Sequence, residues 1–97
     1  MEGKLTILRT DGGFEIKPLK DPHDPDPIRE AVGGPIELVP YFNSFRGEPC
    51  VAYCDEYGKV KGKPYNVTAN LIWKRQDDVL VGDIAIVQGD RAFMRNL

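Results

Sequence analysis

Histidine and cysteine are scarce in this chain, although many catalytic and metal sites depend on them. The sequence holds one histidine, His23, and two cysteines, Cys50 and Cys54. A structural zinc site needs four such ligands, and His23 lies in a connection rich in proline and aspartate, where a solvated side chain is expected. The sequence also lacks a glycine-rich phosphate loop, a nucleophile elbow and a metal-ligand pair at helical spacing. We therefore expect no enzyme, no metal and no cofactor.

Charge and hydropathy exclude further classes of protein. The 13 basic and 15 acidic residues give a net charge of −2, whereas general nucleic-acid affinity depends on an excess of Lys and Arg. The sequence has no apolar run of 18 residues and no charged-then-apolar leader after Met1, so we expect no membrane association and a cytoplasmic location. We expect residues 1–97 to form one domain that buries about two-thirds of the surface of the unfolded chain.

The clearest local signals predict one short helix followed by a strand. Asp26 can accept hydrogen bonds from the first helical turn, and Pro27 suits the first helical position because its missing N–H costs nothing there. An apolar stripe at three- and four-residue spacing continues to Val32. Two glycines and Pro35 then end the helix, and alternating polarity over Ile36–Pro40 predicts a strand.

Strand patterns outnumber helical ones elsewhere, and the apolar segment Leu71–Trp73 is open to either the last turn of a strand or a short helix. The predicted strands are Lys4–Arg9, Phe14–Leu19, Ile36–Pro40, Cys50–Cys54 and Val79–Val87. Asp11-Gly-Gly predicts a hairpin turn, and a second turn is expected near Arg46-Gly47. The β-branched run Val79–Val87 is expected at the centre of the sheet, with its even-numbered apolar residues facing the core. The predicted fold class is α+β: a mostly antiparallel sheet with one short helix from about Pro27 to Val32.

The two cysteines are predicted to be reduced and buried. In a strand, Cys50 and Cys54 would lie on one face but roughly 13 Å apart, which is beyond disulfide reach. Free cysteine behaves as a small hydrophobic residue, so a packing role is favoured over a redox or metal role.

Three blocks of the sequence resemble a known family. They are Ile28-Arg-Glu-Ala-Val-Gly-Gly-Pro-Ile-Glu-Leu-Val-Pro40, Tyr53-Cys-Asp-Glu-Tyr-Gly-Lys-Val-Lys-Gly-Lys-Pro-Tyr-Asn66 and Asp78-Val-Leu-Val-Gly-Asp-Ile-Ala-Ile-Val87. In this order they look like domain-of-unknown-function family 3846. Proteins of that family occur in phages, prophages, plasmids and bacteria, so the resemblance implies an accessory protein of a mobile element. It implies no active-site residue.

Two segments are the candidate contact surfaces. One is the loop from Tyr41 to Arg46, and the other is an irregular excursion from Tyr57 to Asn66, in which no helix is predicted. Their aromatic residues and arginine are typical of binding hot spots. The candidate binding residues are Tyr41, Phe45, Arg46, Tyr57, Lys59, Lys61, Lys63, Tyr65 and Asn66. We therefore expect a non-enzymatic module that binds a host or phage macromolecule, with a protein as the favoured partner.

A small-ligand role is the alternative hypothesis. Lys59, Lys61 and Lys63 alternate along the excursion and, with Tyr65 and Asn66, could hold a nucleotide-type ligand beside backbone amides near Gly82. The same lysines could instead protect a solvated sheet edge from pairing. The sequence leaves both interpretations open.

Three carboxylates would suggest acid–base or magnesium chemistry if the fold brought them together. Asp55 and Glu56 are neighbours before Tyr57-Gly58, a pattern typical of a turn. Asp83 interrupts an apolar run and is expected to accept hydrogen bonds from loop amides. Whether the three converge is left open.

Overall fold

The computed structural model describes residues 3–75, 77–95 and 97 of the chain. The strands of this part are β1 (Gly3–Leu8), β2 (Phe14–Pro18), β3 (Ile36–Leu38), β4 (Ser44–Phe45), β5 (Glu48–Pro49), β6 (Val51–Asp55) and β7 (Ile84–Gly89). Its helices are α1 (Pro25–Val32), α2 (Val67–Trp73) and α3 (Arg91–Met94). Five strands form one antiparallel sheet in the order β2-β1-β7-β6-β3, and β4 and β5 form a separate hairpin. The α+β class with a mostly antiparallel sheet is confirmed, but the described residues form three short helices instead of one.

The sheet is covered on both faces. Side chains alternate along β7, so Ile84 and Ile86 point to one face and Ala85 and Val87 to the other, and each of the four is 0% exposed. The first face packs against α2 and the residues around the β4–β5 hairpin, and the second face packs against α1 and α3. The sheet is therefore the middle of three layers, with a hydrophobic core on each side.

The central strand was predicted in the right place but with the wrong start. The run Val79–Val87 does supply the middle strand, yet β7 begins at Ile84. Before it, Val81 makes only an isolated bridge to Tyr65, and Gly82 turns the chain with a φ of 75°. The even-numbered apolar residues share one core as predicted, while the odd-numbered residues of β7 fill the other.

Helix α1 ends where the sequence predicts but starts two residues earlier. The N-cap is Asp24, whose side chain accepts a hydrogen bond from the Asp26 amide, so Asp26 lies in the first turn and is not the cap. Pro25 is tolerated because the first helical amides have no partner inside a helix. At the other end Gly33 adopts a left-handed φ of 80°, which closes the helix after Val32.

Of helix α2, only Leu71–Trp73 was considered as a possible helical segment, and Asn66 is the residue that explains where the helix begins. The Asn66 side chain accepts a hydrogen bond from the Ala69 amide, which makes it the N-cap. Its amide group also donates to the carbonyl oxygens of Leu8 and Gly82, each at 2.9 Å. Asn66 thus joins the start of α2 to two distant segments of chain.

Both predicted hairpins are present. Gly12 has a φ of 91° in the turn that joins β1 and β2, and the Asp83 carboxylate holds this turn by accepting from the Thr10 amide at 3.0 Å and from Arg9 Nη1 at 2.9 Å. The predicted role of Asp83 as an acceptor for loop amides is therefore confirmed. The second hairpin is β4–β5, with its turn at Arg46-Gly47 as predicted.

Candidate binding surface

Arg46 occupies the tip of the β4–β5 hairpin in an uncommon conformation. Its φ of 53° and the φ of 79° at Gly47 are both left-handed, as a type I′ turn requires. Asparagine or glycine normally fills the first of these positions, because most L-residues are strained there. The guanidinium carbon lies 5.2 Å from the ring centre of Phe14 and 5.3 Å from that of Phe45. The cation is therefore in cation–π contact with two aromatic rings.

A groove open to solvent lies beside this arginine. It has a volume of about 400 Å³ and runs between the tip of the β1–β2 hairpin, the β4–β5 hairpin and α2. The larger side chains that line it are Leu8, Phe14, Phe45, Arg46, Thr68 and Ile72. Arg46 carries the sole charge among these lining residues, and no carboxylate in the described part of the chain pairs with it. We call this feature the aromatic–arginine groove.

A second group of cations, by contrast, is neutralised inside the molecule. The side chain of Asp55 is 1% exposed, and its Oδ2 lies 2.7 Å from Lys61 Nζ and 2.8 Å from Lys63 Nζ. Its Oδ1 accepts from the Tyr57 amide at 2.9 Å, which confirms the predicted turn. Burial by itself raises the pKa of Asp55, but hydrogen bonds from the two lysines and this amide outweigh burial and lower the pKa to about 2. We call Asp55, Lys61 and Lys63 the Asp55 cluster.

The same lysines also close the end of α1. Lys63 Nζ donates to the carbonyl oxygen of Val32 at 2.6 Å, and Lys61 Nζ donates to that of Gly33 at 3.2 Å. Cations at this end satisfy carbonyl groups that have no partner inside the helix and complement the helix dipole. Residues 56–62 form turns, not a strand, so the lysines do not protect a sheet edge.

The other candidates of the excursion are scattered. Lys59 pairs with Asp78, with both side chains about half exposed, and this contact lowers the pKa of Asp78. Tyr57 and Tyr65 are 49% and 51% exposed and remain available for contact. Asn66 is 0% exposed with its amide group fully bonded, so its predicted place on the binding surface is wrong: it is a buried helix cap.

Tyr41 lies on the surface and has its own arginine. It is 71% exposed and has a left-handed φ of 64°. The guanidinium carbon of Arg75 lies 4.7 Å from its ring centre. Unlike Arg46, Arg75 is ion-paired: its Nη2 lies 2.6 Å from Asp77 Oδ2. This second arginine–aromatic pair is therefore already neutralised.

The singled-out carboxylates and cysteines have separate surroundings in the described part of the chain. Asp55 is bonded to lysines and Asp83 to the β1–β2 turn, so the two have separate sets of partners. In the described part of the chain, no three His, Cys, Asp or Glu residues are placed to hold a metal ion. Cys50 and Cys54 are both free as predicted, the first buried and the second half-buried, and burial raises the pKa of each thiol to about 11. Both thiols are therefore protonated near neutral pH, which opposes a nucleophilic role.

The sequence interpretation missed Phe14 as part of the surface. Phe14 was taken only as the first residue of a strand, although the alternation Phe14-Glu15-Ile16-Lys17 places its two apolar residues on one face of β2. They are 55% and 48% exposed. That alternation was the available signal, and it becomes informative once β2 is known to be an edge strand.

In the described part of the chain, no helix is long and apolar enough to cross a bilayer. Neither the curated proteins nor the solved structures include a match to this sequence. A family model does match it: residues 4–94 fit the domain of unknown function DUF3846. The matched range includes all three blocks on which the resemblance was based. The chain therefore belongs to the DUF3846 family.

Proposed function

We propose that this protein is a non-enzymatic binding module whose aromatic–arginine groove receives a segment of a partner protein. The family resemblance adds a setting for this role, an accessory protein of a phage or plasmid that acts on a host or phage macromolecule in the cytoplasm. The observation that carries the proposal is the setting of Arg46. Its guanidinium stacks on two rings, has no carboxylate partner among the described residues, and lies beside an open apolar groove.

The local cost of Arg46 supports a role in binding. Asn-Gly is a favoured pair for a type I′ turn, and an arginine in the first position gives up part of that stability. In return, the turn presents a cation next to apolar surface, and tryptophan, tyrosine and arginine are the residues most enriched at binding hot spots. Sub-optimal backbone conformations of this kind concentrate at functional sites.

The nucleotide-type alternative has less support. It relied on Lys59, Lys61 and Lys63, whose charges are each paired with a carboxylate. A phosphate at Lys61 or Lys63 would have to compete with the buried carboxylate of Asp55, at the cost of leaving that carboxylate unpaired.

Selection from a random library of displayed 12-residue peptides on the purified protein tests the proposal. We expect selected peptides to share a sequence pattern and to lose at least about tenfold in affinity for the Arg46→Asn variant, which keeps a turn-compatible residue. The matched control is Arg75→Gln, which removes the ion-paired arginine over Tyr41 and should change affinity less than about twofold.

Two results would overturn the proposal. One is a selection that yields no shared pattern on a protein shown by circular dichroism to be folded. The other is a stoichiometric nucleotide released on denaturation and detected by mass spectrometry, which would favour the small-ligand alternative.

A further inference from the structure

We infer that the partner segment binds as an extended strand added to the outer edge of β2, with an acidic side chain at Arg46 and an apolar side chain two residues away. This inference rests on the proposed function and specifies the chemistry of the partner. Three observations support it: the hydrogen-bond register of β2, the side chains on its open face, and the position of Arg46, which has no carboxylate partner among the described residues.

The register shows which backbone groups of β2 face outward. The Arg9 amide donates to the Gly13 carbonyl oxygen, and the Leu19 amide donates to that of Gly3, each at 2.9 Å. In an antiparallel pair, hydrogen-bonded positions alternate with positions whose N–H and C=O point away. The odd-numbered residues of β2 therefore face β1, and Phe14, Ile16 and Pro18 direct their backbone groups outward.

This outer edge has no partner strand within the described part of the chain, because β2 ends the sheet order. The backbone N–H and C=O groups of Phe14 and Ile16 give this edge two outward hydrogen-bond donors and two outward acceptors. Pro18, which has no N–H, occupies the next outward position, where its missing donor does not disturb pairing with β1. Pairing at this edge is thus limited to the part next to the groove.

The side chains at the same edge define what a strand there would carry. Phe14 and Ile16 point to one face and are about half exposed. A residue directly opposite Phe14 on an added strand would bring its Cβ to roughly 5 Å from that of Phe14. Arg46 stacks on the Phe14 ring, so this residue meets a guanidinium that no carboxylate of residues 3–75, 77–95 or 97 neutralises, and Asp or Glu is the complement.

The residue opposite Ile16 completes the pattern. It lies on the same face two positions along the added strand, in either strand direction, and an apolar side chain there would cover Ile16. The occupant is therefore a peptide strand with an acidic residue and an apolar residue separated by one position. Addition of a strand to an exposed edge is a common mode of peptide recognition.

Ile16→Pro gives a sharp test, because it removes one outward donor and leaves pairing with β1 intact, as Pro18 already does. The probe is the tightest-binding peptide from the 12-residue library. We expect Ile16→Pro to weaken binding at least about tenfold. The matched control Leu38→Pro, which removes an outward donor from β3 at the opposite edge of the sheet, should change it less than about twofold. We also expect the peptide to slow hydrogen exchange of the Phe14 and Ile16 amides in the unmodified protein, a readout that does not depend on any variant.

The possible outcomes are distinguishable. Peptides that depend on Arg46 but bind Ile16→Pro normally and leave both amides unprotected would overturn strand addition while the proposed function stands. Peptides without the acidic residue that bind equally well would overturn the assignment to Arg46. A doubled mass in sedimentation that Ile16→Pro abolishes would assign the edge to a second copy of this chain. If no peptide is selected, both the inference and the proposed function fail.

Discussion

The Asp55 cluster and the aromatic–arginine groove both hold cations, but the cations have different environments. Lys61 and Lys63 share a carboxylate that is 1% exposed and also bind the last carbonyl groups of α1. Arg46 is exposed, contacts the exposed ring of Phe14 and the buried ring of Phe45, and has no carboxylate partner among the described residues. The density of basic residues in a sequence therefore does not show where charge is available for binding. A single buried carboxylate converts the lysine-rich segment into an internal support.

The largest effect that follows from this comparison is a loss of stability when the cluster is broken. Asp55→Asn leaves two lysine ammonium groups without their carboxylate, and we expect the free energy of unfolding to fall by about 2–4 kcal/mol. Urea unfolding followed by circular dichroism measures this change. Glu56→Gln is the control, since Glu56 is exposed and its loss should cost less than about 0.5 kcal/mol. Equal stability of both variants would mean that the cluster is not a structural support.

Acid should weaken the same cluster. The pKa of Asp55 is about 2 in the folded protein, below its ordinary value of 3.8. The Asp55 carboxylate therefore adds about 2 kcal/mol to the free energy of unfolding. This contribution is fully present above the ordinary pKa of 3.8 and is lost as the pH falls toward the folded pKa of about 2. Urea unfolding at a series of pH values between about 5 and 2.5 should show the difference between the unmodified protein and Asp55→Asn shrinking as the pH falls. A constant difference would contradict the assignment of the low pKa to Asp55.

The smallest expected effect on stability is at Arg46. Arg46→Asn loses cation–π contacts worth about 0.5–1 kcal/mol each at an exposed site but gains a favoured turn residue, so the free energy of unfolding should fall by no more than about 1 kcal/mol. The same urea experiment measures it. A loss as large as that of Asp55→Asn would make Arg46 a structural residue and remove the contrast between the two regions.

Local signals predicted the parts of the fold that depend on neighbouring residues. The end of α1 at Gly33 and the turns at Gly12 and Gly47 follow from left-handed backbone positions that glycine adopts easily. Helix α2 did not follow from such signals. Its cap, Asn66, is held by the carbonyl oxygens of Leu8 and Gly82, and the sequence alone does not show that these groups meet.

The residues of the aromatic–arginine groove come from segments that are distant in the sequence. Arg46 was expected at a hairpin turn, and it lies there with its guanidinium against the ring of Phe45. Phe14, which completes the groove, comes from another hairpin and is brought there by the fold. Lys61 and Lys63 were interpreted as available cations, because the sequence shows their spacing but not the burial of Asp55 between them.

The sheet order also constrains the sequence of events in folding. β1 pairs with β2 on one side through a short turn and with β7 on the other side. The β1–β7 pair brings together distant parts of the sequence: Arg9, just after β1, donates a hydrogen bond to Asp83, just before β7 and 74 positions later. Contacts between such distant residues slow folding, because a long loop must close before they form. During synthesis β1 therefore keeps an unpaired edge until β7 has left the ribosome, and unpaired edges promote aggregation. The yield of folded protein in a cell should thus depend on how quickly the segment carrying β7 is translated.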